Sequence, residues 1–143
     1  MTDIVSARVS ETGKSTFAVE IETGGHRLVG DEPVETGGGG LGPSPYQLLA
    51  AALGECTVMT VRWFARQRKW PVEHVSVAVT HRKGERAGTP GKVDLFEKTV
   101  TIRGDALTSE QRERLIDVAA KCPVHRTLEG QAYIETRSSN DLS

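Results

Sequence analysis

From Pro45 to Lys69 the chain carries a sustained helical pattern whose first half, Ala50-Ala51-Ala52-Leu53-Gly54, is apolar almost all round. A surface helix normally keeps a polar face, so a helix of this kind has to be covered on several sides. A chain of 143 residues closes one core and is expected to form a single domain over residues 1–143. It has little material left to sheathe such a helix alone, which predicts a homodimer in which two copies share a core. The start is well marked: Ser44 suits a cap, Pro45 the first helical position, and Gln47 completes a capping box. Leu49, Ala52, Leu53, Cys56, Thr60, Trp63 and Phe64 recur at helical spacing, Arg62, Arg66, Arg68 and Lys69 crowd the negative end, and Pro71 ends the run.

Around this helix the periodicity changes to two. Ile4–Val9 and Thr16–Ile21 read as strands about a Thr12-Gly13-Lys14 turn, with a third over Arg27–Gly30. After the helix, Val75, Val77 and Val79 alternate as a strand, a loop is expected around Gly84–Gly91, and a further strand over Phe96–Arg103. Thr108 and Gln111 repeat the capping-box spacing ahead of a helix with Leu115, Ile116, Ala119 and Cys122 on one side, and Ala132–Thr136 reads as a closing strand. Strands, long helix, strands, helix, strand is the order of an α+β fold with largely antiparallel sheet.

Charge and composition remove several classes of partner. With 18 basic and 19 acidic side chains the net charge is −1, so no global field steers the chain onto nucleic acid or an anionic membrane. Charged residues interrupt the apolar runs before the 18 or so residues of a membrane span, and Asp3 and Arg8 break the amino-terminal stretch where an export signal needs an apolar core. A cytoplasmic location is therefore expected. Two cysteines cannot build a secreted disulfide framework, and in a reducing compartment their chemistry is transient. Gly37–Gly40 lacks the Lys-Ser/Thr of a phosphate loop, and the few aromatics give no stacking platform for single strands.

Free cysteine often acts only as a small buried hydrophobe. Cys122, however, precedes Pro123, which pushes it out of helical conformation while opening a short turn over Val124–Leu128. An N-cap thiol feels the positive helix end and unpaired N–H groups, which lower its pKa, and His125 and Arg126 stand one turn away. Cys56 lies mid-helix among apolar residues, where desolvation raises a thiol's pKa unless a neighbour compensates. Glu55 points about 100° away around the helix and reads as an ion-pair or partner-facing residue. Cys122-Pro123-Val124-His125 has the C-x-x-H spacing of two zinc ligands, but only Cys56 and Glu55 remain to complete a site and no CxxC occurs, so no metal is expected.

Taken together, Gly30-Asp31-Glu32-Pro33, Gly38-Gly39-x-x-Gly42-Pro43-Ser44-Pro45, Leu48-Leu49-Ala50-Ala51-Ala52-Leu53-Gly54-Glu55-Cys56-Thr57 and Lys121-Cys122-Pro123-Val124-His125-Arg126-Thr127-Leu128 resemble the OsmC/Ohr family of thiol-dependent peroxidases, in its broad OsmC-like branch. The likeness runs from about Arg27 to Thr136. It implies an intertwined homodimer, long central helices wrapped by antiparallel sheets, with two active sites at the subunit interface. It makes Cys56 the peroxidatic and Cys122 the resolving cysteine, reducing organic hydroperoxides with an external thiol or dithiol as reductant and no bound cofactor. Local electrostatics instead favour Cys122 as the more acidic thiol, which suits a resolving cysteine that attacks as thiolate. The family's peroxidases pair a glutamate in the first turn of the long helix with a hairpin arginine; here Tyr46 and Lys14 stand there. Tyr46, Glu55 and Arg27 are the candidates to supply the lost support, with His125 beside Cys122. The competing reading is a non-enzymatic OsmC-like protein holding a small hydrophobic or thiol ligand.

Overall fold

The structure is a computed structural model that describes residues 4–139; Asp3, invoked above against an export signal, lies outside the described residues. The described chain divides into two compact units, one built from residues up to Ala51 with Thr80–Phe96, the other from Ala52–Val79 with residues from Glu97 onward.

In the first unit β1 (Arg8–Glu11), β2 (Val19–Thr23) and β3 (His26–Gly30) form an antiparallel sheet in sequence order. Gly24 and Gly25, at φ 57° and 80°, make the two-residue turn between β2 and β3 that only residues tolerant of positive φ adopt. The first strand begins later than the alternation predicts: Ile4 and Val5 pair with no strand among the described residues and stand exposed. The β1–β2 connection is also no tight turn. Ser15 within it turns inward and donates to the Asp31 carboxylate (2.9 Å), which also accepts from the N–H groups of Glu32 (2.7 Å), Gly39 (3.0 Å) and Leu41 (3.2 Å). One buried carboxylate thus folds the glycine-rich loop back on itself. Burial pushes the Asp31 pKa up, but these bonds outweigh it and the carboxyl sits below its ordinary value. Gly42 is obligatory here because a Cβ would run into the Val29 carbonyl.

α1 (Pro45–Arg68) starts where the sequence predicts, with the Gln47 side chain accepting from Ser44 N–H (2.9 Å). Its end is a Schellman motif: Lys69 adopts φ 55°, Lys69 N–H reaches Arg66 O (3.2 Å), and Trp70 N–H reaches Ala65 O (2.9 Å). By length and composition α1 is apolar enough to cross a bilayer, yet Leu53, Thr57, Val61, Phe64 and Ala65 are buried within the chain, as in a core helix. Val61, Phe64 and Ala65 join Val72, Val75, Leu107, Leu115 and Ala119 in the core of the second unit.

β4 (His74–Arg86) and β5 (Thr89–Arg103) are joined by the two residues Ala87 and Gly88, so the loop predicted around Gly84–Gly91 is mostly strand. The charged residues that suggested a loop lie at the exposed far end of the hairpin, where both strand faces carry charge, and Asp94 binds both His81 (2.8 Å) and Lys83 (3.0 Å) across it. α2 (Ser109–Ala119) has the full Thr108–Gln111 capping box, with Leu115 and Ala119 buried while Ile116 is half exposed rather than on the same inward stripe. α3 (Pro123–Glu129) follows with Cys122 as its N-cap. Ala132–Thr136 is not a strand: a strand needs an edge to pair with, and the segment leaves Tyr133 and Ile134 about nine-tenths exposed (88% and 91%). The architecture is α+β with antiparallel sheets, as the element order predicts.

Candidate functional site: a thiol pair beside an open cavity

The second unit brings Cys56 and Cys122 together. Both are free thiols; Cys56 is half buried and Cys122 has no solvent exposure. α1 presents Cys56 and Thr57 on adjoining positions, and the first turn of α3 runs past them. Val124 N–H donates to Cys56 Sγ and His125 N–H to Cys122 Sγ, both at 3.4 Å. These are orphan donors of a helix start, free because no earlier turn supplies carbonyls, and Pro123 lacks an N–H that would compete. Thr57 Oγ1 lies 3.4 Å from Cys122 Sγ and donates to Leu53 O (2.8 Å).

Two residues to which the sequence assigned no role, one of them the last of the motif that carries Cys56, complete the arrangement. Thr57 is one. The other is Lys98 of β5, whose Nζ donates to Thr57 Oγ1 (3.1 Å) and to Ala119 O (2.6 Å), the last carbonyl of α2. The available signal was its phase: Lys98, Val100 and Ile102 share the inward face of the strand. Burial pushes the Lys98 pKa below its ordinary value, opposed by the charges of Cys122, Cys56 and Glu129. For Cys122 burial acts upward, but the hydrogen bonds from Thr57, His125 N–H and Cys56, with the Lys98 charge, outweigh it and the thiol is lowered. The sequence argument for an acidified Cys122 therefore has its counterpart in the geometry, with Thr57 and Lys98 added.

Cys56 also opens onto a cavity of about 580 Å³ lined by Glu55, Cys56, Met59, Trp63, Pro123 and Val124 among others. Glu55, though turned away from Cys56 on the helix, borders the same cavity. The walls are mainly apolar, and Met59 and Trp63 are largely exposed (61% and 62%). His125 reaches Cys122 through its backbone; its imidazole Nε2 pairs with Glu129 (3.1 Å) and its Nδ1 is buried with no partner among the described residues. Tyr46 and Arg27 find their contacts in the first unit, Tyr46 stacked on His81 (ring centroids 4.5 Å apart) and Arg27 beside Glu22 (3.5 Å). Among the described residues no group of three or more His, Cys, Asp or Glu side chains gathers as a metal shell.

The fold recurs in solved structures. An OsmC-like protein from Mycoplasma pneumoniae is 18% identical with a TM-score of 0.68, the match covering 91% of this chain and 90% of that one. An organic hydroperoxide resistance protein OsmC from Legionella pneumophila is 24% identical with a TM-score of 0.64, covering 91% and 92%. An organic hydroperoxide resistance protein from Elizabethkingia anophelis, with thiocyanate bound, is 19% identical with a TM-score of 0.67, covering 91% of each. No curated protein matches the chain. The family model described as "OsmC-like protein" matches residues 37–137, a span that takes in the glycine loop, the whole of α1 and both cysteines. With most of its length matched, the chain belongs to the OsmC-like family.

Proposed function

We propose that the protein is a two-cysteine peroxidase that reduces organic hydroperoxides in stress defence. The observation that carries this reading is the unequal placement of the sulfurs: Cys56 borders an open apolar cavity while Cys122 is sealed behind it. The Cys56 thiolate attacks the outer peroxide oxygen, the O–O bond breaks, and the alkoxide takes a proton and leaves as alcohol. Cys56 is left as a sulfenic acid. The Cys122 thiolate then attacks that sulfur; an S–S bond forms, the S–O bond breaks, and hydroxide leaves, protonated by solvent to water. An external dithiol reduces the bridge and is itself oxidised. Val124 N–H, donating to Cys56 Sγ at 3.4 Å, holds that sulfur at the cavity wall for the first step.

We further propose a homodimer, with a second copy covering the apolar face of α1 that carries Met59 and Trp63 and pairing with the extended Ala132–Thr136 segment. A cytoplasmic location suits the reading, because reducing conditions keep returning the pair to free thiols. The cavity volume also suits a small hydrophobic or thiol ligand held without turnover, which is the second reading. Steady-state consumption of cumene hydroperoxide with dithiothreitol separates the two: turnover that Cys56→Ser abolishes supports the peroxidase, and equal consumption by Cys56→Ser and parent refutes it.

A further inference from the structure

We propose that Lys98, acting through the Thr57 hydroxyl, holds the negative charge of Cys122, which makes Lys98 and Thr57 positioning residues for the step that closes the Cys56–Cys122 bridge. This inference rests on the peroxidase reading. It starts from the hydrogens available at Thr57, a fully buried side chain. Its hydroxyl has one proton and two acceptors in reach, Leu53 O at 2.8 Å and Cys122 Sγ at 3.4 Å. Lys98 Nζ donates into the same oxygen at 3.1 Å, so the hydroxyl cannot turn that lone pair elsewhere and its proton is left for one of the two acceptors. A neutral thiol is a weak acceptor and loses to the carbonyl, whereas a thiolate wins, because charge-assisted bonds are roughly twice as strong as neutral ones. Ionisation of Cys122 therefore turns one rotor, from Leu53 to sulfur, and nothing larger has to move.

The position of Lys98 calls for such a charge. Its stem shares the inward face of β5 with Val100 and Ile102, where an apolar side chain would avoid desolvating an ammonium. Ala119 O anchors the ammonium at the negative end of α2 and leaves Thr57 as its route to sulfur. The other titratable groups around the sulfurs are Cys56 and, on the cavity wall, Glu55 on α1, His125 and Glu129 on α3, and exposed Lys121 before Cys122. Glu129 is held by His125 Nε2, and His125 offers Cys122 only its backbone N–H. Lys98 is the cation linked to Cys122 among the described residues, through a Thr57 hydroxyl that lies 3.1 Å from its Nζ and 3.4 Å from Cys122 Sγ.

The test follows bridge closing against pH. One equivalent of cumene hydroperoxide is added to the full-length protein, and closing is read by mass spectrometry of quenched samples. Lys98→Met and Thr57→Val are expected to slow closing on the order of tenfold at neutral pH and to move its pH profile upward, with Lys98→Arg restoring the parent profile. A parent-like profile in both Lys98→Met and Thr57→Val overturns the inference; Thr57→Val, which keeps the side-chain shape, decides it alone if Lys98→Met does not fold. A second arm needs no peroxide: ultraviolet thiolate absorbance of Cys56→Ser, in which Cys122 is the remaining thiol, is titrated with and without Thr57→Val or Lys98→Met. Movement to higher pH supports the inference, and an unmoved curve overturns it. If the parent forms no bridge, the peroxidase reading fails, while this titration still measures whether Lys98 and Thr57 hold the charge of Cys122.

Discussion

Val124 N–H points at the sulfur of Cys56 from 68 positions further along the chain, at 3.4 Å, and the next N–H, that of His125, serves Cys122. A single turn of α3 thus addresses both thiols, and Cys122, as N-cap, is fixed by the turn it starts.

Treated with one equivalent of organic hydroperoxide, the protein is expected to lose two protons in mass between the peptides carrying Cys56 and Cys122. Cys122→Ser should stop at a sulfenic acid that adds one dimedone, on the Cys56 peptide. Dimedone addition at position 122 in Cys56→Ser, at the same rate, would contradict the assigned order of attack.

The lowered Cys122 thiol makes stability depend on pH. Its folded value lies below the ordinary 9.0, so the folded chain sheds this proton first. The stabilisation is fully present above 9.0 and is lost as pH falls through the folded value. Lys98, also lowered, contributes with the same sign below its ordinary 10.5. Urea midpoints should therefore rise with pH on the approach to 9.0, and Cys122→Ser should flatten that rise.

Lys69 carries a steric penalty at φ 55° that glycine avoids. Because its side chain closes α1 rather than filling the core, Lys69→Gly should stabilise by about 0.5–1 kcal/mol and raise Tm by a few degrees. A lower Tm would show that the lysine makes up the difference through its charge at the helix end.

A charge placed in the middle of the exposed face of α1 tests the proposed dimer. Trp63→Arg should give a monomer by light scattering where the parent is a dimer. A parent that is itself a dilute, well-folded monomer would remove the dimer.

Asp31→Asn replaces a carboxylate that accepts from Ser15 and three backbone N–H groups with a side chain having one acceptor oxygen. Hydrogen exchange at Gly39 and Leu41 should quicken several-fold, with α2 unchanged. Below the lowered carboxylate range the parent should lose the same protection as Asp31 protonates.

Much of this is legible in the sequence where one short segment decides the outcome. Ser44-Pro45 and Thr108 mark their helices, and Cys122-Pro123 dictates an N-cap thiol, because caps are local chemistry. What depends on a distant partner is not. Ile4, Val5 and Ala132–Thr136 alternate as strands yet find no edge among the described residues, and the long β4–β5 hairpin is hidden by charges on both faces of its exposed end that read as loop. The cysteine neighbourhood is visible as two motifs, but Lys98 belongs to neither. Its place beside Thr57, 41 positions away, is set by strand phase and by the packing of β5, which no motif records.

The sealed position of Cys122 also gives the return half of the proposed cycle a direction. Under the proposed cycle a reductant arriving from solvent would meet the sulfur of Cys56 in the bridge, so that the mixed disulfide would form there and Cys122 would be expelled. An acidic thiol departs faster than an ordinary one. The features that prepare Cys122 to close the bridge would then make it the better leaving group when the bridge is opened.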